Sequence, residues 1–216
     1  MEAVTENLDA YVDGFLTSLS IILWSLVGSL VLGLLIAASR VSPVPPLRRF
    51  GLFWVTTFRN TPLTVVLVFC AFGLPELGFN RSFFFFGVLG LVLYTSAFVC
   101  EAVRSGINSV PAGQAEAARS LGLTFSQCLG QVVLPQALRT VVPPLGSVLI
   151  AMFKNSAVVG AFGVGGDLWS TGATLTSARG YETLPVYIGV AIGYLIITLT
   201  AGALLQVLER KVAIAR

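Results

Sequence analysis

The stretch Glu101–Pro144, EAVRSGINSVPAGQAEAARSLGLTFSQCLGQVVLPQALRTVVPP, is a polar, helix-punctuated segment set between runs of almost unbroken hydrophobicity. Proline is tolerated in the first turn of a helix, where its missing N–H would be unpaired anyway, and glycine readily takes the left-handed geometry that closes one. Pro111 and Gly122 therefore bracket a predicted helix from about Pro111 to Leu121. Thr124 is placed to cap a second helix running to about Val133, its hydroxyl accepting an orphan first-turn N–H, and Pro135 marks where that helix must end or bend. Two short helices joined by a glycine elbow are expected, giving a shaped, water-facing surface to a chain otherwise made for the bilayer.

Outward from this segment the composition is that of a membrane protein: 56% hydrophobic residues, 11% charged and a mean hydropathy of +0.89 over 216 residues. Apolar runs of about 17–25 residues are long enough to cross the hydrocarbon core. Five are read: Leu16 to Ala38, Thr61 to Leu77, Phe83 to Val103, Thr140 to Phe162 and Leu184 to Leu208. Pro62 and Phe72-Gly73-Leu74-Pro75 squeeze the second at both ends, and Phe53 is an alternative start for it. The fold class expected is all-α integral membrane with five transmembrane helices.

Charge placement orients the spans. Of the 13 Lys and Arg residues, Arg40, Arg48, Arg49 and Arg59 fall in the loop 39–60, Arg104, Arg119 and Arg139 in the segment 101–139, and Arg210, Lys211 and Arg216 in the tail. Arg81 and Arg179 lie on the other side, Lys154 is inside the fourth span, and Glu2, Glu6, Asp9 and Asp13 precede the first span with no basic neighbour. Lys and Arg concentrate in cytoplasmic loops, so the N-terminus is expected outside and the C-terminus in the cytoplasm. The acidic leader and the length of the first run are unlike a cleavable signal peptide, and the N-terminus is expected to stay.

Absences narrow the function. Neither lysine sits in a glycine-rich phosphate cradle, so there is no Walker A motif and any ATP hydrolysis is expected on another polypeptide. With 3 cysteines and no histidine, neither a metal site nor a disulfide framework is expected, and Cys70, Cys100 and Cys128 read as packing residues. No linker or repeat divides the chain, so residues 1–216 are read as one domain, with Ser42-Pro43-Val44-Pro45-Pro46 as a tight non-helical connection. Ser25, Gly28, Ser29 and Gly33 in the first span, and Gly189, Gly193 and Gly202 in the last, are small residues that let helices approach closely. Phe83 to Phe86 reads as a lipid-facing anchor.

The sequence SVPAGQAEAARSLG (Ser109–Gly122), with LPQALRTVVPP (Leu134–Pro144) behind it, resembles the cytoplasmic loop of ABC-importer permeases, close to the polar amino acid uptake branch. That resemblance implies a type I (MetI-like) importer permease with a cytoplasmic coupling helix within the loop 101–139. In it Pro111, Gln114, Glu116, Ala117, Ala118, Leu121 and Gly122 would dock on a separate ATPase. It further implies two ATPase subunits carrying ATP and Mg, a second permease subunit that is a sister or an identical copy, an extracytoplasmic amino-acid-binding protein and a bacterial plasma membrane, with no nucleic-acid partner. This chain would bind no cofactor and perform no covalent chemistry. A membrane-surface amphipathic helix is the alternative for the loop, but such helices are rich in Lys and Arg, and this one has only Arg104, Arg119 and Arg139.

Two constellations are candidates for touching a substrate. In FRNTPL (Phe58–Leu63), Pro62 denies the second span a backbone hydrogen bond while Arg59, Asn60 and Thr61 supply donors. In FKNSAVVGAFGVGG (Phe153–Gly166), Lys154, Asn155 and Ser156 interrupt a hydrophobic span that then dissolves into glycines. Polar groups at membrane depth normally face a bundle interior or an aqueous cavity, and broken helices aim freed amides at charged solutes. RNTPL and KNSAVVGAFG are similar to the family's RGTPL and KDTSL-type stretches. Each has an ordinary structural alternative: Arg59 snorkelling to lipid phosphates, Asn60 and Thr61 satisfying the helix end opened by Pro62, Lys154 pairing with Glu101 or a carbonyl, and Glu101–Arg104 as a one-turn helical ion pair.

Family members often have an acidic residue where this chain has Asn155. The amide leaves Lys154 and Arg59 as the nearest formal charges, so an acidic solute, glutamate or aspartate, is expected first, glutamine or another polar amino acid second and a cationic one last. An ion-coupled secondary amino acid carrier is the alternative from another class. It calls for intramembrane carboxylates or histidines, and no acidic residue is read inside a span.

Overall fold

The computed structural model describes residues 2–163 and 165–212. After a turn of helix at Glu2–Thr5, α1 (Leu8–Val41) runs for 34 residues, about 51 Å at 1.5 Å per residue and therefore longer than the roughly 30 Å hydrocarbon core. It is followed by α2 (Pro45–Asn60), α3 (Leu63–Glu76), α4 (Phe83–Asn108), α5 (Ala112–Ser120), α6 (Phe125–Gly160), α7 (Leu168–Ser177) and α8 (Thr183–Val212). No strand occurs among the described residues. Four helices, α1, α4, α6 and α8, are individually long and apolar enough to span a bilayer, and α2 with α3, bent by 105° at the break between them, are so only when taken together as a pair.

The bundle is held by close approach at small residues, because lipid offers no hydrophobic drive for helices to associate. A Cβ on Gly28 would stand 2.6 Å from Val92 Cγ2, and one on Gly33 2.5 Å from Val99 Cγ1, which sets the α1–α4 distance. In α8, Gly189 receives the Tyr11 ring and Gly193 receives Leu168, while Gly202 meets nothing within 4 Å. The main core joins Tyr11, Ile21 and Ile22 of α1 to Leu91 of α4, Met152 and Val159 of α6, Leu168 and Leu175 of α7, and Val186 and Val190 of α8.

Several expectations are corrected. Ser42 to Val44 is a non-helical connection, but Pro45 and Pro46 are not part of it: they open α2, whose first turn has no use for their missing N–H groups. Phe53 is not an early start of the second span. It belongs to α2, which lies across α1 and α4, with Gly51 against Arg40 and Ile36 and with Trp54 Nε1 donating to Ser96 Oγ at 3.0 Å. Pro135 neither ends nor sharply bends its helix, because residues Cys128–Val133 are wound as a π-helix and the chain passes straight into Leu134–Gly160. The same device, Phe69–Gly73, precedes Pro75. In both places the wider turn ends two residues before the proline, where a regular α-turn would set its ring against the carbonyl four residues back. The helix that carries the fourth apolar run accordingly starts at Phe125 rather than Thr140, and Pro143 and Pro144 lie inside it.

The anchor reading of Phe83 to Phe86 holds for only part of the stretch. Phe83 and Phe85 are exposed, whereas Phe86 is buried against Val66 and Cys70. Helix α7 is an element the sequence reading missed. Gly163, Gly165 and Gly166 take φ of +83°, +73° and +75° to turn the chain after α6. Asp167 then caps α7, accepting from the Ser170 and Trp169 N–H groups, and the Leu168 N–H donates to Ser18 Oγ of α1 at 3.0 Å.

Candidate functional site

The loop between α4 and α6 forms the elbow the sequence predicts, with Pro111 as N-cap just ahead of α5. Gly122, at φ +87°, closes α5 in a Schellman arrangement: the Leu123 N–H donates to Ala118 O at 3.3 Å and the Gly122 N–H to Arg119 O at 2.9 Å. Thr124 and Gln127 form a reciprocal capping box at the start of α6. The elbow is fastened from beneath by Ala118, which is buried, and by Cys128, whose Sγ lies 3.7 Å from Ala115 O. Gln114, Glu116 and Ala117 stay exposed, and Leu121 and Phe125 are 82% and 70% exposed. Large apolar side chains held that far out on a turn are the kind of exposed patch that marks protein interaction surfaces.

The second site lies where α2 breaks into α3. Helix α3 is only about 21 Å long at 1.5 Å per residue, shorter than the roughly 30 Å hydrocarbon core, and Arg59, Asn60 and Thr61 stand at the break ahead of it. Asn60 Nδ2 donates to Thr56 O and Thr61 Oγ1 to Thr57 O, both at 2.8 Å, so side chains supply donors to carbonyls of the last turn of α2 ahead of Pro62. Arg59 has its Cζ 5.5 Å from the Phe98 ring centroid and its Nη1 3.6 Å from Glu101 Oε2, and its side chain remains 45% exposed. A cleft of about 400 Å³ opens beside it, walled by Arg40, Thr56, Asn60, Phe98 and Glu101.

The sequence singled out Lys154, Asn155 and Ser156 as one constellation, and the helix separates them. Ser156 is buried, its Oγ donating to Phe153 O at 2.7 Å. Lys154 is exposed and has no hydrogen bond or ion pair among the described residues; Glu101 pairs with Arg40, Arg59 and Arg104 instead. Asn155 lines a groove of about 250 Å³ with Tyr94, Thr95, Phe98, Ser147 and Ala151. Phe98 is the shared wall between this groove and the Arg59 cleft, so Arg59, Asn60 and Asn155 are brought onto one surface. Ser156 is not, and Thr61 is outside both cavities.

Sequence reasoning missed Tyr94 and Phe98, and read Glu101 only as a partner for Arg104 or Lys154. They follow one another at helical spacing on α4, with the Tyr94 and Phe98 rings 5.0 Å apart, and that stripe of two aromatics and an acid within an apolar run was the available signal. The buried carboxylate of Asp167 was missed as well. Its contacts with the α7 cap engage it as a structural group, and Glu101 is engaged by three arginines, so neither offers the free carboxylate an ion-coupled carrier calls for. Among the described residues no group of His, Cys, Asp or Glu is arranged to hold a metal.

Comparison with known proteins bears on the chain as a whole. Residues 29–214 match the family described as binding-protein-dependent transport system inner membrane component. The chain is similar to the glutamate transport system permease protein GluC of Corynebacterium efficiens, 41% identical over 94% of this chain and 93% of that one. It is also similar to the probable glutamine ABC transporter permease protein GlnM of Bacillus subtilis, 40% identical over 95% and 94%. Among solved structures, an amino acid ABC transporter superposes with a TM-score of 0.89 at 33% identity, covering 96% of both chains. The MetNI methionine ABC transporter shares the fold at a TM-score of 0.72 and 23% identity, covering 96% of both.

Proposed function

This chain belongs to the binding-protein-dependent inner membrane component family and is a multi-pass permease subunit of an amino acid ABC importer, not an enzyme; from that premise we propose that its cargo is glutamate or aspartate, with glutamine as the second reading. The observation that carries the reading is the division of its exposed faces. On α1 and α8 the exposed side chains are large and apolar, among them Leu23, Trp24, Val27, Val31, Leu195, Ile196 and Leu199, as lipid requires. On α6 the residues Pro144, Ser147, Ala151 and Lys154 are exposed, and Arg59 and Asn60 line the neighbouring cleft beyond Phe98. Charges and small residues at that depth are too costly to leave in lipid, so this face borders water between two permease subunits.

Arg59 and Lys154 bear positive charge there and Asn155 adds an amide in place of a carboxylate, so the path favours an acidic solute. Glutamine is supported as the alternative by the 40% identity to a probable glutamine permease. In the mechanism this implies, an extracytoplasmic binding protein delivers the amino acid. Two ATPase subunits, carrying ATP and Mg, grip the elbows of two permeases, identical or sisters, through Gln114, Glu116, Ala117 and Leu121. ATPase closure swings the spans from inward-open to outward-open, and hydrolysis resets them. The chain works as a single permease domain in a bacterial plasma membrane, with the N-terminus outside and the elbow in the cytoplasm.

The test is uptake of labelled glutamate, aspartate, glutamine and arginine by vesicles reconstituted with the permease, its ATPase and its binding protein. ATP-dependent uptake with glutamate or aspartate preferred supports the proposal. A preference for glutamine selects the second reading, and a preference for arginine contradicts both.

A further inference from the structure

Glu101 receives more positive charge than one carboxylate can neutralise. Arg104 grips it with Nε at 3.0 Å and Nη2 at 2.8 Å, and Arg40 Nη2 donates to Oε1 at 3.3 Å. Arg59 is held most loosely, 3.6 Å from Oε2. Three guanidinium groups face one carboxylate, and the Nε of Arg40 is buried with no partner. Among the described residues, Glu101 is the only acid in the wall of the adjoining cleft. The cluster thus has room and unspent donors for one further carboxylate, and Arg59, over the Phe98 ring, is the group able to turn to it.

Resting on the reading of this groove as the cargo path, we propose that Glu101 is a built-in stand-in for the α-carboxylate of the transported amino acid. In the empty path Arg59 leans on Glu101; when cargo enters, its α-carboxylate takes Arg59, and Glu101 keeps Arg40 and Arg104. The contact between the α2–α3 break and α4 is released while cargo is present and remade when it leaves. No covalent bond changes. The subsite reads the α-carboxylate alone, so it accepts glutamate and glutamine equally and leaves side-chain choice to the Asn155 groove and the binding protein.

The experiment uses the complete reconstituted importer with Thr56→Cys as reporter in the cleft wall; the three native cysteines are buried and silent. Labelling by a small thiol reagent is timed with glutamate, glutamine or the α-amide of glutamate present. Glutamate and glutamine should slow labelling alike, the α-amide should not, and Arg59→Gln should erase the protection while copurification with the ATPase persists. Glu101→Gln removes the competitor and should bring half-protection to a concentration about two- to fivefold lower, the size of a partly exposed ion pair. Protection by the α-amide equal to that by glutamate, or protection retained in Arg59→Gln, overturns the proposal. If the unmodified importer takes up glutamate while labelling ignores it, the subsite fails alone. If it takes up no amino acid, the reading of the path fails first.

Discussion

Gly33 of α1 and Val99 of α4 approach so closely that a Cβ on the glycine would stand 2.5 Å from Val99 Cγ1 and 3.0 Å from Ser96 O. Valine is stiff about χ1 and a backbone carbonyl cannot step aside, so the contact fixes how near the two central spans lie. Gly33→Ala should cost about 1–3 kcal/mol through overpacking, read as a lower midpoint of thermal unfolding in detergent. Gly202→Ala, with nothing within 4 Å, should leave the isolated chain no less stable. Equal losses at both positions would contradict the packing described.

The elbow is tested by backbone geometry rather than by contact. Gly122 has φ +87° and open space around it, so Gly122→Val penalises only the left-handed turn, by about 1–2 kcal/mol, and tilts α5. Copurification with the ATPase and stimulated ATP hydrolysis should both fall. Gly113→Ala, in the first turn of α5 with nothing within 4 Å of the added Cβ, should not weaken the helix and should keep coupling. Normal turnover in Gly122→Val would remove the elbow from the coupling path.

The orientation is readable with a membrane-impermeant thiol reagent on intact cells. Cys70, Cys100 and Cys128 are all buried and provide a quiet background. Thr5→Cys should label from outside and Lys211→Cys should not. The reverse pattern would invert the topology.

Substrate preference should respond to charge in the groove. Asn155→Asp places a second carboxylate near the path, so uptake of glutamate and aspartate should fall more than that of glutamine or arginine. An unchanged ranking among the four would move selection wholly to the binding protein.

What was legible in the sequence divides by the reach of the interactions. The elbow was read nearly residue by residue, because Pro111, Gly122 and Thr124 act on backbone within one or two turns of themselves. Four straight crossings and the need for close packing at Gly28, Gly33, Gly189 and Gly193 were visible for the same reason: length and side-chain size are local quantities. The 105° break was only half visible, since Pro62 announces an interruption but the direction of α2 depends on Trp54 finding Ser96 and Gly51 finding Arg40. The π-turns ahead of Pro75 and Pro135 have no sequence signature beyond the prolines they accommodate. Lys154, Asn155 and Ser156 looked like one site because they are adjacent, and helical rotation sends Ser156 into the core. Glu101, read as a one-turn pair with Arg104, also gathers Arg40 and Arg59 from two other helices, which no local pattern could announce.

The central claim is that the face of α6 carrying Ser147, Ala151 and Lys154 borders a path that opens to the two sides of the membrane in turn. Accessibility of Ser147→Cys in the complete importer measures this directly, using a charged thiol reagent applied from either side, without nucleotide and with ATP bound but hydrolysis blocked. The account predicts labelling from the cytoplasmic side without nucleotide and from the outer side with ATP held. Labelling that ignores nucleotide, or no labelling from either side, would place this face against lipid or inside a static interface and contradict the account.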